Sequence, residues 1–278
     1  MPDAVIAAPY QLVPTCDGAM LVNANDVFMG QAYLRYGESF KTEVDLLLSM
    51  LQFPGMVIDV GANMGVHAIP MAKELARQGR RMLAFEPQPV IFQQLCANLA
   101  LNGLMNVQAF PYACGSRTGI VSFTAPDYRL GGNFGCVSMS RQAGTTETMT
   151  APCHTLDEIV GETQVALIKI DVEGFELEVL RGARKTIKRS HPVMYVENDR
   201  VEESRELIEW LREQNYRLYW HIAKLYNPSN FLGNAENIYG HTGSFNMLCL
   251  HRDCPLKIEG TTEITDASHH PLTALKPA

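Results

Sequence analysis

The sequence predicts an α/β fold, a mostly parallel sheet with helices on both faces, and three observations carry that reading. Short apolar runs alternate with segments of helical spacing from residue 56 onward, which is the pattern of strand–helix–strand units. The run Val165-Ala166-Leu167-Ile168-Lys169-Ile170 is nearly all apolar, as a central parallel strand covered on both sides should be. Acids or amides close several of these runs: Asp59, Glu86, Asp171 with Glu173, and Glu197 with Asn198. In open α/β sheets the carboxyl ends of the strands are where ligands bind.

Taken in order, residues 1–20 contain three prolines and little periodicity, and read as a peripheral extension. Glu43 to Leu48 reads as a helix that stops at Pro54-Gly55. A strand over 56–60 leads to a helix over about 65–78, and a second strand over 81–85 ends at Glu86-Pro87. The helix over 89–101 closes at Asn102-Gly103, a pair suited to a C-cap. A third strand covers 106–110, and 119–123 reads as an added antiparallel strand. Residues 124–152, rich in Gly, Ser and Thr, read as one long irregular loop. After the strand at 165–170, helical spacing runs to Arg189, and a fifth strand covers 192–196. A helix over 202–214, a strand over 216–221 and a last strand over 244–250 complete a domain spanning 21–252. The loop 222–243 has the Gly, Asn and aromatic content of a substrate lid, and 253–278 is a polar tail.

Bulk properties exclude several classes. The 278-residue chain carries a net charge of −7, which argues against a nucleic-acid partner. Its basic cluster, Arg181 to Arg189, falls at a helix end where cations suit the dipole. Seven scattered cysteines without a C-x-x-C pair fit neither a disulfide framework nor a zinc site and point to a reducing, cytoplasmic setting. No apolar run has the roughly 20 residues of a membrane span.

The chemistry collects around Asp59-Val60-Gly61-Ala62-Asn63-Met64-Gly65, where a strand breaks into a helix. Glycine lets the backbone take φ > 0 there and lets a ligand come close. The acid ending the next strand, Glu86, can accept from both hydroxyls of an adenosine ribose. The loop has neither the G-x-G-x-x-G spacing of dinucleotide sites nor the lysine of a P-loop. S-adenosylmethionine, an adenosine cofactor without phosphate, needs neither.

These residues match a known family. The segments VIDVGANMG (57–65), AFEPQ (84–88), LCANLALNGL (95–104), LIKIDVEGFELEVLRGA (167–183) and VMYVENDR (193–200) resemble the FkbM family of S-adenosylmethionine-dependent methyltransferases, of the class I, Rossmann-like fold. The resemblance implies a mostly parallel sheet with an antiparallel last strand. It implies that Asp59, Gly61, Ala62, Asn63 and Gly65 hold the methionine part of the cofactor, that Glu86 holds its ribose, and that Ala113 lies near the adenine. Asp171, Glu173 and Glu197 would then line the reaction centre. Family members mostly methylate hydroxyl groups on sugars or natural products, so the expected partner is a small-molecule or saccharide acceptor.

An alcohol acceptor needs a base within reach, for which Asp171, Glu173, Glu197, His221 and His241 are the candidates. Asp171, Glu197 and Asn198 also suit a divalent metal, although the same oxygens serve equally well as acceptors for sugar hydroxyls, and the metal is not the favoured reading. An NAD-dependent oxidoreductase shares the architecture but not the glycine spacing. A non-catalytic cofactor-binding module would not need acids at four strand ends.

Overall fold

The alternation read from the sequence folds into one central sheet. The computed structural model describes residues 6–124, 126–137 and 148–274. A hairpin of β1 (Tyr10–Thr15) and β2 (Gly18–Asn23) leads to α1 (Met29–Tyr36) and α2 (Lys41–Met50). There follow β3 (Met56–Val60), α3 (Ala68–Arg77), β4 (Met82–Phe85), α4 (Pro89–Leu101), β5 (Val107–Phe110), β6 (Ala113–Cys114), β7 (Gly119–Thr124) and β8 (Thr148–His154). The second half runs α5 (Leu156–Val160), β9 (Val165–Ile170), α6 (Glu176–Gly182), α7 (Arg184–Ser190), β10 (Val193–Glu197), α8 (Val201–Glu213), β11 (Tyr216–Lys224), β12 (Gly243–His251) and α9 (Pro271–Ala274).

Seven strands form the main sheet in the order β11-β12-β10-β9-β3-β4-β5. The pairs from β10 through β5 are parallel, while β12 runs antiparallel between β10 and β11. Side chains alternate between the two faces. Val57, Leu167, Tyr195 and Leu248 pack with Leu47, Ile69 and Leu95 of α2, α3 and α4. Ile58, Ile168, Met194 and Met247 pack with Leu180, Ile187 and Ile208 of α6, α7 and α8. The carboxyl ends of β3, β4, β9 and β10 therefore share one edge.

Several segments differ from the sequence reading. The N-terminal hairpin is fixed and not peripheral. Met20 and Val22 are buried, and Asn98 accepts from the Leu21 N–H at 2.6 Å while Gln94 donates to the Leu21 carbonyl at 2.8 Å. Within 124–152, residues 148–154 are a strand, β8, that pairs antiparallel with β7 and parallel with β6. Its threonines and Pro152 resemble loop composition, yet its burial alternates, with Ala151 and Cys153 inside. Residues 125 and 138–147 of that expected loop lie outside the described residues. The helix expected to run to Arg189 is two helices. Asp157 accepts from the backbone N–H groups of Lys185 and Thr186 and so caps a fresh N-terminus at α7. The 222–243 segment is not a free lid. Tyr36 donates to the Glu236 carbonyl at 2.8 Å, Tyr239 donates to the Phe28 carbonyl at 2.7 Å, and Glu38 accepts from Asn227 and the Phe231 N–H. In the tail, Ile264 N–H donates to the Leu218 carbonyl at 2.8 Å, and buried His270 bonds the Asn198 carbonyl at 2.8 Å. Among the described residues no helix is long and apolar enough to cross a membrane.

Candidate active site

Two clefts open at the carboxyl edge of the sheet. The first, of about 630 Å³, is lined by Gly61, Ala62 and Asn63 of the loop after β3, by Glu86 at the end of β4, and by Phe123 of β7. Gly61 takes φ +79°, and a Cβ there would lie 1.8 Å from the Asp171 carbonyl oxygen, so the loop closes on β9 only with glycine. The loop amides are already engaged. Gly61 and Ala62 donate to the Phe85 carbonyl at 3.0 and 2.9 Å, and Asn63 donates to Glu86 at 3.0 Å. What the loop offers a ligand is therefore close approach. Glu86 also accepts from the Gln88 N–H at 2.9 Å. Its burial pushes the carboxyl up to about 7, against the opposing pull of those two backbone donors.

Beneath this cleft lies a buried lysine, Lys169, in the middle of the expected apolar strand. Its ammonium donates to the Gly61 carbonyl at 2.8 Å and sits 3.2 Å from Asp59 and 3.4 Å from Asp171. Burial alone would lower its pKa, but Asp59 and then Asp171 outweigh that and hold it above the ordinary lysine value. Lys169 thus welds the glycine loop to β9. Sequence reasoning missed it, though the signal was present: a lone charge in a strand covered on both faces must have partners. Among the described residues, Lys169 is the one lysine or arginine on the first cleft's wall, and it is spent on these contacts. A phosphate finds no cation there, whereas an adenosine cofactor without phosphate fits.

The second cleft, of about 650 Å³, shares Met29, Gly135, Asp171 and Glu173 with the first. Its further walls include Glu43 of α2, Glu197 at the end of β10, Asp199, and Ser244 and Asn246 of β12. Glu173 stands at the junction with φ +55°, a left-handed conformation that a non-glycine residue keeps only when its surroundings hold it. Glu176 is part of what holds it, accepting from the N–H groups of Val172 and Gly174 at 3.2 and 3.1 Å. Arg200 pairs with Glu173 at 2.8 Å. Even so, burial first and the Asp171 charge second raise the Glu173 carboxyl, and burial with Asp171, Glu173 and Asp199 holds Glu197 well above the ordinary range. Carboxylate oxygens of Asp171, Glu173 and Glu197 lie within 4.8 Å of one another.

The expected residues separate into those the edge gathers and those it does not. Gly61, Ala62, Asn63, Glu86, Asp171, Glu173 and Glu197 line the clefts. Asp59 lies one layer below, fully buried under the loop as counter-charge to Lys169, and Gly65 packs against Ile69 and Leu95. Ala113, expected at the adenine, is buried in the small sheet opposite Cys153, while Phe123 of β7, on the far side of β8, reaches the cleft. His221 lines neither cleft. Its Nδ1 meets the Tyr195 hydroxyl at 2.7 Å, and burial lowers its pKa. Asn198 donates its side-chain N–H groups to Ser204 and Met247, and it lines neither cleft. Glu43 and His67, 3.3 Å apart on the cleft walls, had no spacing signal in the sequence.

Residues 59–218 match the model of the FkbM methyltransferase domain, more than half of the chain. The chain belongs to this family. It is an S-adenosylmethionine-dependent methyltransferase. It is 28% identical over 198 residues to the hexuronic acid methyltransferase AglP of Haloferax volcanii, covering 70% of this chain and 76% of that one. Methyltransferase 1 of Beauveria bassiana is 26% identical over 161 residues, covering 50% and 63% of the two chains. The crystal structure of methyltransferase FkbM from Methylobacillus flagellatus superposes with a TM-score of 0.45 at 17% identity, covering 72% of this chain and 45% of that one.

Proposed function

We propose that this enzyme methylates a hydroxyl group of a sugar or sugar-bearing natural product. The junction of the two clefts at Asp171 and Glu173 is the observation that carries the reading. S-adenosylmethionine, when bound in the first cleft, supplies a methyl group that passes to the acceptor oxygen as the electron pair of the S–C bond returns to sulfur. On this reading the 61–63 backbone seats the methionine part, Glu86 accepts from the ribose hydroxyls, and Phe123 packs near the adenine. Holding donor and acceptor in line across the junction supplies much of the rate.

Glu173 takes the acceptor's proton. It lines both clefts, its backbone is held in a strained conformation that aims it there, and its raised carboxyl is a better base than an exposed one. Asp171, fixed by Lys169, orients the acceptor, and Glu197 lines the second cleft only. The sugar class is supported by the hexuronic acid named for the archaeal relative. Calorimetry with S-adenosylmethionine and with NAD, followed by transfer of labelled methyl to a panel of sugars and glycolipids, tests the reading. Glu173→Gln should bind the cofactor normally and lose about 10²–10⁴-fold in kcat. Unchanged kcat in that variant would remove Glu173 as the base, and binding of NAD alone would remove the transferase reading of the first cleft.

A further inference from the structure

The second cleft has a charge pattern that restricts what enters it. Five carboxyls line it, those of Glu43, Asp171, Glu173, Glu197 and Asp199, and among the described residues no lysine or arginine does. The cations behind the wall are already shared. Lys169 serves Asp59 and Asp171, and Arg200 serves Glu173 and Asp199. Glu197 is left over: among the described residues it has no ion pair, and its buried Oε2 has no hydrogen-bond partner. Burial and the surrounding acids hold its carboxyl well above the usual range, which a positive charge brought into the cleft would relieve.

A second, separate group points the same way. Asn246 is paired in register with Glu197 on the neighbouring strand and so shares its face of the sheet. Its side chain is 3% exposed and lines the cleft, and among the described residues its Nδ2 has no partner. A buried amide donor without an acceptor costs stability until a ligand oxygen fills it. The wall thus asks for a cation and a hydroxyl or carbonyl oxygen side by side.

We propose that the acceptor is an amine-bearing polyol, an amino sugar or related amino alcohol, whose ammonium is held by Glu197 and Asp199 while Asn246 donates to one of its oxygens. The inference rests on the methyltransferase reading above and deepens it. It also accounts for which atom is methylated. A protonated amine has no free electron pair, so a cleft that keeps the ammonium charged leaves the hydroxyl as the nucleophile. A uronate or phosphorylated sugar would bring a negative charge among five carboxyls and be rejected.

The test uses the protein saturated with S-adenosylhomocysteine, titrated at low salt with the methyl glycosides of glucosamine, glucose and glucuronic acid, and with MgCl₂ alone. The glucosaminide should bind about tenfold or more tighter than the glucoside, and the glucuronide weakest. Raising NaCl to about 0.5 M should shrink that preference. Glu197→Gln and Asp199→Asn should each reduce it, with retained S-adenosylhomocysteine binding reporting that the variants are folded. Equal binding of amine and neutral sugar, tighter binding of the glucuronide, or no binding of the amine would overturn the proposal. Binding of Mg²⁺ that the glucosaminide cannot displace would make the cluster a metal site and overturn it too. Failure of S-adenosylhomocysteine to bind would count against the cofactor assignment, and titration of the free protein would still decide the charge preference.

Discussion

The two clefts share a wall and are built on opposite principles. In the first, the charges are paired within the fold: Lys169 faces Asp59 and Asp171, and Glu86 accepts two backbone amides, although the Asp59 oxygens make no hydrogen bond beyond that ion pair. In the second, among the described residues, Glu197 Oε2 and Asn246 Nδ2 are buried with neither a hydrogen bond nor an ion pair. The contrast separates a site preformed by its own contacts from one that a ligand completes. It also marks where folding stability and binding are traded. A buried charge with partners holds the structure together, and removing one partner is expensive. A buried polar atom without a partner weakens the free protein and rewards the ligand that reaches it.

Four substitutions would break or sharpen that contrast. Lys169→Met should have the largest effect, destabilising the protein by about 3–5 kcal/mol in denaturant titrations because it strands Asp59 in the core. Glu197→Gln in the second cleft should be neutral or stabilising in the same titration, and a comparable loss there would erase the distinction between the clefts. Glu86→Gln comes next. Cofactor affinity should weaken by about 1–3 kcal/mol, since the amide is a poorer acceptor for ribose hydroxyls than the carboxylate. The same variant tests the pH dependence. A carboxyl whose folded value is raised to about 7 binds a proton in the folded state that the unfolded chain has already released above about 4.5. Its contribution to stability is therefore present at low pH and lost as pH rises through about 7, so the wild type should lose stability over that window and Glu86→Gln should flatten the slope. Glu176, raised by burial to about 7, adds a slope of the same sign that remains in the variant. The smallest effect belongs to Arg35→Ala, which removes the 2.9 Å pair with Glu236 on the surface. About 1 kcal/mol or less in thermal melts is expected, with the 222–243 segment still tied down through Tyr36, Glu38 and Tyr239.

The same contrast explains what the sequence made legible. The first cleft grows from contiguous motifs: a glycine loop directly after an apolar strand, and an acid at the end of the next strand. Local periodicity and turn chemistry report such features directly, and the strand at 165–170 and the helix at 89–101 agree with the structure to the residue. The second cleft draws on α2, the 133–136 segment, β10 and β12, which meet only through tertiary packing. Glu43 sits in a helix whose apolar pattern gives no hint that its acid faces inward. Lys169 was visible as a residue but not as a partner, because pairing it with Asp59 requires knowing that β9 lies beside β3. Ala113 and Phe123 illustrate the same limit at smaller scale. The small sheet decides which of them reaches the cleft, and its third strand, β8, looked like loop.

The C-terminal tail has a consequence outside the chemistry. Strand β11 is one of the two edges of the main sheet, and an edge strand presents unpaired backbone groups on which another chain can add itself. Here Glu263 bridges to Tyr219, and Ile264, itself buried, donates to the Leu218 carbonyl. A few residues of the tail thus occupy part of that rim, and they shorten the stretch of edge on which another strand could add itself.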